Sequence, residues 1–321
     1  MTALPPPNQT WVHAVDNKRM LLEALHNDSI TAIETDVLMG HTEGTTTTTT
    51  DKIPIMAHPP NTQSDLPMTE FVHLIYSHQS NNDNNNNSPS SHGNIRKTGD
   101  LLLLDPQPQG LHDMPSITSS SNRVTNNKIV KLDFKEMAAV EPTLKAFVDA
   151  SNVAPSTDTT ASVIFLNADI LPGPGHRDPN DLQMNATEFI ETCLPYMEEY
   201  RQDTTTTARR QMAFSLGFKT DCSDLGDGYT MDDFTAMANL ISQYRLVERR
   251  MGIVLALNAR QLAKSLFSVD NIMLQFPHLQ ILAWTGKGEP PIPEASIEQI
   301  RHHFESLQMT HRIGYDCQVS S

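Results

Sequence analysis

Cysteine is scarce in this chain. The three residues Cys193, Cys222 and Cys317 are too few and too scattered for a disulfide framework or a zinc site, and they point to a reducing compartment. Long apolar runs are missing as well, and none approaches the ~18 residues that a membrane-spanning helix needs. The opening residues MTALPPPNQTW lack the basic and apolar regions of a secretory leader. The expectation is therefore a soluble, cytoplasmic protein with no transmembrane segment. Positive charge is also short: 23 Lys and Arg face 38 Asp and Glu, a net charge of −15. Such a surface repels nucleic acid and anionic lipid, so no nucleic-acid partner is expected. An anionic substrate would need a local counter-charge, such as a metal ion.

What is present is organised. The chain is 38% hydrophobic and 19% charged, a globular balance, and its polar excess is gathered into a few tracts. Thr45 to Thr50, residues 80–121 with Asn84 to Asn87 inside them, and Thr204 to Thr207 read as low-complexity, mostly disordered insertions in one domain spanning residues 1–321. Between the tracts, strand and helix patterns alternate. Strands are expected at Trp11 to Val15, Ile30 to Leu38, Lys128 to Phe134, Ser162 to Ile170, Gln211 to Phe218, Met251 to Leu257, Leu279 to Trp284 and His311 to Tyr315. Helices are expected from Asp16, over Met68 to Ser77, Met137 to Ala150, Ala186 to Tyr200 behind an Asn185 cap, from a Thr230–Asp233 cap, over Ala259 to Phe267, and to Leu307 behind a Ser296–Gln299 capping box. Eight strands in strict alternation with helices imply parallel pairing, and the closed solution is an α/β fold of the (β/α)8 TIM-barrel type.

In such a barrel the active site lies at the C-terminal strand ends. The polar residues found there are His13, Glu34, Asp36, Asp133, Lys135, Asn167, Asp169, Ser215, Asn258, Trp284 and Asp316, with His58 in the loop after the second strand. Ile33-Glu34-Thr35-Asp36-Val37 is the most telling stretch. Period-two alternation puts Glu34 and Asp36 on one face, where they serve either a cation or substrate inside the barrel or a solvated edge. Lys131, Asp133 and Lys135 alternate in the same way. Glu34, Asp36 and Asp133 together make a hard oxygen site suited to Mg2+ or Ca2+ rather than zinc. A divalent ion would remove the mutual repulsion of three acids, and Lys135 would add charge for a phosphate oxygen. His13 and His58 flank the acids and suit paired acid and base work on a phosphodiester. Asn167 and Asp169 can bind substrate hydroxyls or the ion's shell, or cap the Leu171-Pro-Gly-Pro-Gly175 loop, while Trp284 either covers the pocket or packs. Ser215 lacks a Gly-x-Ser-x-Gly setting, so a serine hydrolase is not expected.

His13-Ala14-Val15, Ile33 to Val37, Pro54-Ile-Met-Ala-His58-Pro-Pro60, Lys131 to Lys135, Leu166-Asn-Ala-Asp-Ile-Leu-Pro-Gly-Pro174 and Trp284-Thr-Gly-Lys287 resemble the successive blocks of the menorin family over nearly the whole chain outside the insertions. That family in turn resembles the phospholipase C-like phosphodiesterase barrels, which include glycerophosphodiester phosphodiesterases and spider phospholipases D. The resemblance implies acid/base roles for His13 and His58, metal binding by Glu34, Asp36 and Asp133, and a match of Lys135 to the lysine of the strand-three Glu-x-Lys pattern; Asn167 and Trp284 are expected as substrate contacts from their strand-end positions alone. The substrate it implies is a phosphodiester or phospholipid-like small molecule. Three positions depart from the glycerophosphodiesterase pattern: His-Arg-Gly is here His13-Ala14-Val15, the second histidine precedes Pro59 rather than Asp, and a strand-three Glu is here Asp133. The rival expectation is a non-catalytic binding or signalling module that keeps the barrel.

Overall fold

The computed structural model describes residues 9–44, 51–84, 128–153, 163–201, 211–220, 228–286 and 289–320. The insertions expected at 45–50 and 204–207, and that at 80–121 beyond Asn84, lie outside the described residues. In chain order the elements are β1 (Trp11–Val12), α1 (Lys18–His26), β2 (Ala32–Thr42), β3 (Ile53–Met56), β4 (Gln63–Ser64), α2 (Met68–Asn84), β5 (Ile129–Phe134), α3 (Val140–Val153), β6 (Val163–Pro172), α4 (Ala186–Arg201), β7 (Gln211–Lys219), α5 (Met231–Gln243), β8 (Gly252–Asn258), α6 (Ala259–Ala263), α7 (Leu266–Gln275), β9 (Gln280–Trp284), β10 (Ile292–Pro293), α8 (Glu294–Ser306), β11 (Ile313–Asp316) and β12 (Val319–Ser320). Strands β1, β2, β5, β6, β7, β8, β9 and β11 pair in that order, every pair parallel. The result is an α/β fold with a nearly closed barrel of eight parallel strands, compatible with the TIM type.

The two faces of the wall carry different cores. Outward residues such as Ile33, Val37, Val130, Leu132, Leu166 and Leu255 join helix residues such as Phe71, Phe147, Phe189 and Phe304 in the main apolar cluster. Ala32, Ile129, Phe165, Ala213, Val254 and Leu282, one from each of six neighbouring strands, form a separate small cluster. Two residues further along these strands, on the same face, stand Glu34, Lys131, Asn167, Ser215, Ala256 and Trp284. Two further again come Asp36, Asp133, Asp169, Gly217 and Asn258. The barrel interior thus has an apolar floor, and its polarity grows toward the C-terminal strand ends.

The local signals held in part. Thr230 and Asp233 form a reciprocal capping box on α5, and Asn185 Oδ1 accepts the Glu188 amide 3.0 Å away at the start of α4. Strand β1 is shorter than expected, because Ala14 adopts φ 49°, a left-handed conformation that an extended strand cannot include. Asn17, one residue after the expected Asp16, caps α1 by accepting the Met20 amide. The helix expected from Ala259 to Phe267 divides at Ser265, whose Oγ donates to the Gln261 carbonyl and accepts the Tyr229 amide, both at 2.6 Å. Helix α8 starts at Glu294 behind Pro293, ahead of the expected Ser296–Gln299 box, since proline's fixed φ already suits a helix entry. Helix α2 continues past Ser77 to Asn84. Strand β3 folds back antiparallel on the outer half of β2, pairing Met56 with Val37, and so ties the His58 loop to the strand that bears Glu34 and Asp36. Among the described residues no helix is long and apolar enough to cross a membrane.

Candidate functional site

Strand register brings the three expected acids together. Glu34 lies opposite Lys131 and Asp36 opposite Asp133, and Glu34, Asp36 and Asp133 each offer an oxygen within 4.8 Å of the others. Lys135 sits just beyond β5, its amide bonded to the Val37 carbonyl, and its Nζ lies 2.8 Å from both Asp36 Oδ1 and Asp133 Oδ2. Asn167 Nδ2 donates to Asp133 Oδ1 at 2.9 Å, and Asn167 Oδ1 accepts from Ser215 Oγ at 2.6 Å. Asn167 is therefore committed to fixing Asp133, a tie that its neighbouring register on β6 makes possible.

These contacts divide the acids electrostatically. Burial pushes the Asp36 carboxyl up; the Lys135 ammonium opposes this, Glu34 and Asp133 reinforce it, and the group comes to about 6. Burial works against ionised Glu34 too. There the His13 contact, the Lys131 charge and the Ala14 amide, 2.8 Å from Oε2, outweigh burial and hold the carboxylate below its ordinary range. Lys131 and Lys135 lose solvation inside the barrel, but the surrounding acids hold both ammonium groups above their ordinary values. The site is a lattice of alternating charge rather than a bare acidic cluster.

The histidines stand on either side. His13, which follows β1, places Nε2 2.6 Å from Asp316 Oδ1 and Nδ1 3.6 Å from Glu34 Oε2. Desolvation lowers its affinity for a proton, but Asp316 and Glu34 more than reverse this and raise it to about 9. At neutral pH the ring is an imidazolium. His58 is 56% exposed, with Nε2 3.9 Å from Asp36 Oδ2 and Nδ1 2.6 Å from the Pro59 carbonyl oxygen. A carbonyl only accepts, so Nδ1 carries a hydrogen and Nε2 is the nitrogen turned toward the acids.

The rest of the strand-end set is spread around the mouth. Trp284 ends β9 half-buried, in register with Asn258 and Asp316. Asp169 lies opposite Gly217 where β6 is bulged, and a Cβ at Gly217 would overlap its Oδ1. Enclosure by the barrel wall, then the Asp133 charge, push its carboxyl up to about 7, although the side chain opens onto solvent. Glu289 completes the mouth beside Asn258 Nδ2 at 3.3 Å and Arg260 Nε at 3.7 Å. Sequence reasoning overlooked Glu289, which sits in an irregular Gly-Glu-Pro stretch with no period to read. It saw Lys131 and Asp316 but assigned them no task, because their partners belong to other strands.

Glu34, Asp36 and Asp133 lie close enough together to hold one metal ion, and the Lys135 ammonium already spans two of them. Fold and site together define a parallel α/β barrel with a charged, carboxylate-lined mouth. The chain belongs to the menorin family: the model of the menorin N-terminal domain matches residues 8–84 and 117–318. The human protein FAM151B is 23% identical to it over 306 residues, covering 95% of this chain and 82% of that relative. No solved structure matches the chain.

Proposed function

We propose that this protein is a metal-dependent phosphodiester hydrolase or transferase of the phospholipase C-like barrel type. The reading is supported best by one observation: two imidazoles and an ammonium converge on three clustered carboxylates at the C-terminal end of the barrel. Glu34, Asp36 and Asp133 would hold Mg2+ or Ca2+. A bound ion would supply Lewis-acid polarisation of a phosphoryl oxygen. Lys135 offsets the negative charge of the diester. His58, with its Nε2 toward the mouth, takes the proton of the attacking hydroxyl, either water or a neighbouring hydroxyl of the substrate. The His13 imidazolium returns a proton to the leaving oxygen.

The test is head-group release from a panel of glycerophosphodiesters, lysophospholipids and sphingomyelin with Mg2+, Ca2+ or chelator. Metal-dependent release that is lost in His58→Ala, with an unchanged melting temperature because His58 is exposed, supports the enzyme. One observation favours a second reading: Lys135 bridges two of the three acids and Lys131 lies opposite the third, so each acid of the cluster has a cationic neighbour without an ion. A binding module of this kind would release nothing from any diester, and His58→Ala would keep its ligand.

A further inference from the structure

We infer that Asp316 is the positioning residue of His13, and that it leaves Nδ1 as the working nitrogen of that ring. The inference rests on the reading of His13 as a proton-handling group. A carboxylate oxygen accepts, so the 2.6 Å contact between Asp316 Oδ1 and His13 Nε2 fixes the hydrogen on Nε2. Nδ1, 3.6 Å from Glu34 Oε2 and beyond hydrogen-bond length, then faces the carboxylate cluster with either a lone pair or a proton to give. This is the logic of an orienting carboxylate behind a histidine, here built across the barrel seam.

Three further features set Asp316 apart from an incidental surface acid. Its side chain is 5% exposed, and Oδ2 is buried with no hydrogen-bond partner among the described residues, so its one strong bond is to His13. Its backbone is locked: Asp316 pairs with Trp284 in the β9–β11 ladder, and its carbonyl accepts the Thr285 amide at 3.1 Å. A face of the His13 ring is also covered, since Trp11 stacks on it with centroids 6.4 Å apart and planes 24° from parallel. The imidazole is held by a face and an edge, and 303 residues separate it from the carboxylate that holds the edge.

The experiment uses the full 15N-labelled chain. Wild type is expected to show a low-field ring-proton resonance from His13 Nε2–H, missing from both His13→Gln and Asp316→Ala. On the diester that wild type cleaves, Asp316→Ala should lower kcat ~10- to 100-fold. KM should move by less than about threefold, as for an interaction that matters after binding. A resonance that persists in Asp316→Ala, or a KM rise at constant kcat, overturns the assignment. If Asp316→Ala fails to fold, the isosteric Asp316→Asn carries the test: its amide oxygen still accepts, so the resonance should survive at higher field with a smaller loss of kcat, and an unshifted resonance overturns the idea. A wild type inactive on every diester defeats the proposed function instead, and the resonance alone then decides the dyad.

Discussion

Lys135 is the residue whose removal reports most directly on the charge lattice. In Lys135→Met the stem is replaced at similar length, while the ammonium 2.8 Å from both Asp36 and Asp133 disappears. Deleting one partner of a buried ion pair costs about 3–5 kcal/mol. The side chain is 26% exposed, which places the expected loss at the low end, about 3 kcal/mol. At roughly 2–3 °C per kcal/mol for a large domain, the melting temperature in chelator should fall by about 6–9 °C. The same change removes the internal competitor for a cation. In wild type an ion must displace or tolerate the ammonium, whereas in Lys135→Met it meets Asp36 and Asp133 without that charge, and each tenfold gain in affinity adds about 1.4 kcal/mol at saturating ion. Thermal melts at neutral pH in chelator, Mg2+ and Ca2+ should therefore show a larger metal-induced rise in the variant than in wild type. An unchanged melting temperature in chelator would refute the reasoning, as would a metal-induced rise no larger than that of wild type.

Three other perturbations follow from the same site. His13 is raised from 6.5 to about 9, so folding favours its charged form; that stabilisation is complete below pH 6.5 and is lost as pH climbs through 9. Denaturant titrations at pH 6 and pH 9.5 should thus show the gap between wild type and His13→Gln closing, and a constant gap would contradict the charge pairing. Asp169 has the same pH slope from the opposite charge effect, since folding disfavours its ionised form: its folded carboxyl is raised from 3.8 to about 7, so stability falls as pH rises between these values. Asp169→Asn should melt above wild type at pH 8 and with it at pH 4, and equal melting at both would show that the carboxyl is not strained. Asn167→Ala deprives half-buried Asp133 of a donor and buried Ser215 of an acceptor, a loss of about 1–3 kcal/mol in urea unfolding with an unchanged slope. Calorimetry should also show its ion affinity reduced ~10- to 100-fold, and an unchanged affinity would free Asn167 from any part in holding Asp133.

Much of this architecture was legible in the linear chain because its signals are local. Period-two alternation in Ile33 to Val37 and Lys131 to Lys135 placed Glu34, Asp36 and Asp133 on faces, and strict strand–helix alternation implied parallel pairing and hence a barrel whose acids gather at one end. The caps at Asn185 and Thr230 were equally readable, since a cap's partners lie within three residues. The shortfalls at Ala14, Ser265 and Pro293 came where a loop contact or a single backbone angle overruled a regular pattern. Only the folded chain decided which charge meets which. Asp36 opposite Asp133 depends on the register between two strands separated by a long intervening segment, and Asp316 reaches His13 only because the last strand comes round beside the first. Periodicity determines the direction in which a side chain points from its own backbone. The identity of the group it meets there is set by barrel register and closure, which depend on the packing of every strand at once.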